Sequence, residues 1–257
     1  MSLKYSVFTT ISRAMRLAGV PRAPQEGQRV LLYHAVGTDL LNDRYGLSIA
    51  PKLFEAHMDR LADLRGQFSP APFGPAAAGR LEVAVVFDDG YADALRTAAP
   101  ILAARSIPFT VFVTPCYIRD RSSRHLTLAQ LKELAGAPGA RIGAHGMNHL
   151  RLRKADDKTV SQELMESRKF LEDAIGMPVT MMSYPHGSVD RRVARLARDA
   201  GYTAAGTSRF GLNAPDRDPM LLCRTEILAV DTAELFELKL RGHWDWYRWR
   251  HADPAAS

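Results

Sequence analysis

The chain has 257 residues, 46% of them hydrophobic, enough to bury a sizeable core as one large α/β domain. Its formal charge of +6 and pI near 9.5 are mildly basic, and no basic run or nucleic-acid motif accompanies them, which sets nucleic-acid binding aside. Cys116 and Cys223 make neither a disulfide framework nor a metal-type pair, and no run of ~18 apolar residues reads as a membrane span, so a reducing, cytoplasmic setting is expected.

Residues 1–24 carry Lys4, Arg13, Arg16 and Arg22 and no acid, with Phe8, Ile11, Met15 and Ala18 on one helical face. That is the pattern of a basic amphipathic helix, suited to peripheral membrane contact or, more plainly, to packing on the domain. A first apolar strand, 29–36, contains Tyr33 and His34. The helix predicted over 51–65 places Leu53, Phe54, Met58, Leu61 and Leu64 on one side. A loop rich in Pro, Ala and Gly (68–79) precedes a second strand, 81–87, which runs into Asp88, Asp89 and Gly90. Strands at 108–113, 141–145, 179–184, 202–207 and 220–227 alternate with helical spacing at 126–135, 156–176 and 190–201, the last two ending on Gly176 and Gly201. The tail, 241–257, interleaves Trp244, Trp246, Tyr247 and Trp249 with Arg241, Arg248 and Arg250. We therefore divide the chain into a basic N-terminal segment (1–24), one domain (25–240) and an aromatic tail (241–257).

Strand and helix in alternation argue for a parallel sheet with helices outside it. Seven strands suggest a distorted (β/α) barrel, with an open doubly wound sheet as the competitor. In such folds functional side chains gather where strands end. Four chemically rich spots sit there: Tyr33–His34, Asp88–Asp89, His145, and Tyr184–Pro185–His186.

Asp88 and Asp89 close a strand buried on both faces. Alone they read as a turn, with Asp89 capping a helix from Tyr91. His145 and His149 stand four apart, so a helical turn would put both on one metal ion, although surface histidines show the same spacing. Together the two spots offer three ligands, with open positions for water and substrate and a spare carboxylate to act as base.

"VVFDDG" with "GAHGMNH" resembles the first two motifs of the polysaccharide deacetylases, carbohydrate esterase family 4 or the NodB homology domain; "MMSYPHG" stands at the third. The resemblance spans about residues 29–227. It implies a distorted (β/α) barrel, Asp88 as general base, and Asp89, His145 and His149 as ligands of one divalent ion, zinc first. The implied reaction removes an N-acetyl group from a sugar. The leaving amine needs a proton. His243 and His251 lie in the tail and follow no strand. His34 ends the first strand, as in a circularly permuted branch resembling poly-N-acetylglucosamine deacetylases, so it is the expected acid; a buried structural histidine is its other reading. The third motif lacks its arginine, and Arg224 is the candidate to hold Asp88. Tyr184, Pro185 and His186 are expected to line the substrate pocket. A polysaccharide or lipid-linked glycan of surface polysaccharide synthesis is the first substrate expectation. A hydrolase of a non-sugar amide or formyl group and an inactive carbohydrate-binding module are the alternatives. Oligomeric state is open.

Overall fold

The computed structural model describes residues 3–20, 26–250 and 253–254. Seven parallel strands follow one another in chain order: β1 (Gly27–Tyr33), β2 (Leu81–Phe87), β3 (Phe109–Val113), β4 (Ala140–Ala144), β5 (Met181–Ser183), β6 (Ala204–Gly206) and β7 (Thr225–Glu226). Registers run from Gly27↔Leu81 and Tyr33↔Phe87, through Val85↔Phe109, Phe109↔Ala140 and Ala144↔Met182, to Met181↔Ala204. The stretch leading into β7 draws the two edges together, since Leu222 bridges Gly206 on one side and Thr225 pairs with Leu31 on the other. The sheet is thus curled into a barrel. An open doubly wound sheet is excluded.

The helices lie outside it: α1 (Leu3–Leu17), α2 (Pro51–Asp63), α3 (Ala99–Ala104), α4 (Pro115–Arg119), α5 (Leu128–Ala135), α6 (Asp157–Ile175), α7 (Arg191–Asp199) and α8 (Ala233–Leu240). Their ends follow local chemistry. The Thr127 hydroxyl accepts from the Gln130 N–H in a capping box, Asp156 and Asp190 cap α6 and α7, and Gly176 ends α6 in the left-handed region.

Strand alternation divides the core in two. Val30, Leu32, Ala84, Val86, Phe112, Ala204 and Leu222 fill the barrel interior. Their neighbours Leu31, Tyr33, Val83, Val85, Phe87, Val111 and Leu221 face outward and pack with helix residues such as Phe54, Leu131, Leu164 and Val193. Both faces being covered explains why β1 is buried at all seven positions. Gly143 is required on β4, because a Cβ there would collide with the ring of Phe112.

Helix α1 and the described part of the tail pack together against this domain. Tyr5 and Phe8 of α1 lie against Trp244, at ring-centroid distances of 5.1 and 6.3 Å, and Phe8 also meets Trp246 and Tyr247. Trp244 is buried, and Lys239 beside it is paired with Asp231 at 2.6 Å. The aromatic residues of the tail are thereby largely accounted for by packing, while Trp249 stays exposed. Arg22 and His251 lie outside the described residues. Among the described residues no helix is long and apolar enough to cross a membrane.

Candidate active site

The alternation that fills the barrel also places the chemistry. One pleat step beyond the interior residues Leu32, Val86 and Leu222 come His34, Asp88 and Arg224, and on β4 and β5 the same step past Gly143 and Met181 reaches His145 and Ser183. Five strand ends therefore aim polar side chains into one mouth.

Asp88 is buried and held by three donors. Arg224 donates from Nη1 to Oδ1 at 2.7 Å and from Nη2 to Oδ2 at 2.9 Å, and the Ser183 hydroxyl donates to Oδ1 at 2.9 Å. Burial pushes this carboxyl up, but the Arg224 charge and hydrogen bonds, together with the neighbouring His145 and His34, outweigh it and hold the group below the usual carboxylate range. Arg224 is itself 1% exposed, and its Nε donates to the Thr207 carbonyl at 2.7 Å. Its stem runs across β6 at Gly206, where a Cβ would lie 2.7 Å from both Cδ and Nε.

The next residue turns away. Asp89 adopts φ +70° and Gly90 φ +78°, so the two adjacent acids point in different directions. The helical stretch after them begins at Ala94, not at Tyr91, and Asp89 caps nothing. That local reading is corrected. Instead Asp89 Oδ1 lies 3.5 Å from His145 Nε2 and 3.3 Å from His149 Nε2. A tetrahedral ion with bonds of about 2.0–2.1 Å has ligand–ligand edges of about 3.3–3.4 Å. The Asp89, His145 and His149 donors, all within 4.8 Å of one another, fit such an ion.

The two histidines do not share a helical turn, as their spacing suggested. Residues 145–151 form a loop. Gly146 and His149 are left-handed at φ +69° and +57°, and the buried Glu163 of α6 accepts from the N–H groups of Met147 and Asn148 at 3.0 and 2.9 Å. Backbone satisfaction by Glu163 replaces the helical ladder. His145 Nδ1 is bonded to the Ser183 carbonyl at 3.0 Å. A carbonyl only accepts, so Nδ1 carries the proton and the Nε2 lone pair is left free to bind an ion beside Asp89. Burial lowers the His145 pKa to about 4, so the ring is a neutral donor.

His34 stands beside both carboxylates, contributing to the field on each, and its Nδ1 is buried without a partner. His186 is exposed, left-handed at φ +57°, with its ring 4.3 Å from that of His149. Tyr184 is corrected. It falls on the outward parity with Met182, is fully buried, and donates its hydroxyl to the Met220 carbonyl at 3.0 Å. Pro185 is buried too, packed under Gly146. Neither lines a substrate pocket. His243 is far from the mouth, bonded to the Val20 carbonyl. Ser183, Glu163 and Gly206 are positioning residues that sequence reasoning did not single out; strand parity points to Ser183, whereas Glu163 gives no sequence signal.

The polysaccharide deacetylase family model matches residues 77–205. YxkH of Bacillus subtilis (strain 168), whose name carries the same family term, is 27% identical over 205 residues, covering 77% of this chain and 70% of YxkH. Among solved structures, the Streptococcus pyogenes deacetylase PplD, in complex with acetate, superposes with TM-score 0.73 at 22% identity, covering 83% of this chain and 98% of that one. IcaB from Ammonifex degensii gives TM-score 0.69 at 20% identity, covering 86% and 97%. With a barrel of the same fold and a family match over half its length, the chain belongs to the polysaccharide deacetylase family of carbohydrate esterases.

Proposed function

We propose that the protein is a metal-dependent deacetylase that removes an N-acetyl group from a sugar of a polysaccharide or lipid-linked glycan. The observation that carries this reading is the Asp88 carboxylate, fixed by the Arg224 fork and set beside the Asp89, His145 and His149 cluster. A binding module has no use for a buried carboxylate clamped in this way, which argues against an inactive fold. A divalent ion held by those three residues, zinc first, would supply Lewis acidity toward the acetyl carbonyl and make water a nucleophile near neutral pH.

The remaining work falls to side chains. Asp88, kept charged and oriented, takes a proton from the attacking water. His34, with an unpartnered ring nitrogen in the same mouth, gives one to the departing amine. The products are acetate and a free amino sugar, and the proton count balances. The PplD complex with acetate is consistent with such a product. Peripheral membrane contact, at the inner face of a cytoplasmic membrane, rests on the exposed Val7, Ile11 and Leu17 of α1. The test of the activity is acetate release by the metal-loaded protein from a panel of N-acetylated sugars and formylated amides. Acetate from at least one N-acetyl sugar supports the reading. Release confined to non-sugar amides or formyl groups would replace it.

A further inference from the structure

Beside the mouth lies a second cavity of about 540 Å³ that the reaction just described does not use. Arg96, Arg119 and Arg121 line it, and no carboxylate does. The exposed Arg96 also borders a neighbouring cavity together with Arg124. Among the described residues none of these four guanidiniums has a carboxylate partner, and Asp120, on the same turn as Arg119 and Arg121, makes no ion pair with them. Elsewhere Arg13 pairs with Glu234, Arg60 with Glu237, Arg105 with Asp59 and Arg192 with Asp157. Three like charges around one cavity repel one another, and the cavity's own lining holds no carboxylate to offset that cost, although Asp39 and Asp93 line the neighbouring one.

A stack of rings separates this cavity from the metal-ligand cluster. His125 lies between Tyr91 and Tyr117, with centroids at 4.5 and 4.1 Å and planes within 26°. Tyr117 in turn is 6.0 Å from His149. His125 Nδ1 is bonded to the Ser122 hydroxyl at 2.7 Å, while Nε2 is buried and unpartnered. The wall thus runs from His149 through Tyr117 to His125, which lines the arginine-bearing cavity.

We propose that this cavity binds a phosphate group carried by the glycan, so that a phosphate-bearing glycan is bound in preference to a neutral one. The proposal rests on the sugar-deacetylase reading of the neighbouring site. A neutral sugar gains little from three guanidiniums. A carboxylate is satisfied by a single Arg fork, whereas a phosphate has oxygens for two or more.

The experiment uses the full-length, zinc-loaded protein and two probes, N-acetylglucosamine 1-phosphate and N-acetylglucosamine, by calorimetry at low salt. Wild type should bind the phosphate at least ten-fold tighter, with the preference shrinking as salt rises. The R119Q/R121Q double variant should lose the preference yet hydrolyse tri-N-acetylchitotriose at the wild-type rate. Equal affinity for the two probes, or a preference surviving in the double variant, overturns the phosphate subsite. Binding of phosphatidylglycerol vesicles without binding of the sugar phosphate overturns it in favour of a lipid surface. Phosphate preference in a protein that releases no acetate from any sugar leaves the subsite standing and removes the deacetylase reading instead.

Discussion

Replacing Gly206 by Ala adds one methyl group that touches no reacting atom, and it should nearly silence the enzyme. The new Cβ would sit 2.7 Å from Cδ and Nε of Arg224, well inside contact distance. Arg224 has nowhere to go. It is 1% exposed, its Nε is tied to the Thr207 carbonyl, and its guanidinium lies 5.8 Å from the centre of the Phe112 ring. Relief must come by moving the arginine, which opens the 2.7 and 2.9 Å fork to Asp88. Overpacking of this kind costs about 1–3 kcal/mol, which for a chain of this size is a fall in Tm of roughly 2–10 °C. The catalytic effect is larger, because a shift of about 1 Å in a positioned group can cost on the order of 100-fold. The assay is kcat/KM for acetate release alongside bound metal and Tm. The expected result is a loss near 100-fold with the metal retained. A variant within three-fold of wild type would show that the Arg224 fork does not set the position of Asp88.

Further predictions concern single side chains. Asp88→Asn should abolish turnover while bound metal is unchanged; activity surviving at a tenth of wild type or more would remove Asp88 from the role of base. His149→Ala should lose the ion, read directly by metal analysis, and full occupancy would strike it from the ligands. His34→Ala should lower kcat on an N-acetyl sugar by roughly 10²–10⁴-fold but spare hydrolysis of 4-nitrophenyl acetate, whose leaving group needs no proton; equal losses on both would contradict an acid role. His57 is buried, stacked on Phe236 at 4.4 Å, with Nε2 2.7 Å from the Asp231 carbonyl oxygen, and burial lowers its pKa to about 4. Its folded pKa lies below the ordinary value of 6.5, so the unfolded chain binds the extra proton first. Stability should therefore fall as pH drops from about 6.5 toward 4, by up to ~3 kcal/mol from this group. His57→Gln should flatten part of that slope in urea titrations, and an unchanged slope would refute the assignment.

Much of this architecture can be read from residue order. The seven apolar runs became the seven barrel strands because both faces of a parallel sheet are covered, which leaves continuous apolar stretches bounded by turns. Parity along those strands is enough to send Asp88, His145 and Arg224 into one mouth and Tyr184 away from it. Tyr184 misleads because a tyrosine beside a proline at a strand end looks like a pocket residue, whereas the pleat sets its direction. The conformation of the His145–His149 loop could not be read locally. It depends on the Glu163 carboxylate, fourteen residues beyond His149 on another element and visible only once α6 packs against the loop. The same holds for Gly206, which reads as a strand end until Arg224 is seen lying across it.

One measurement tests the metal centre most directly. Protein stripped of metal, assayed for acetate release from tri-N-acetylchitotriose, should be silent, and titration with zinc should restore turnover to a plateau at about one ion per chain. Acetate release that is indifferent to the ion, or restored equally well in Asp89→Ala, would contradict a metal centre built from Asp89, His145 and His149.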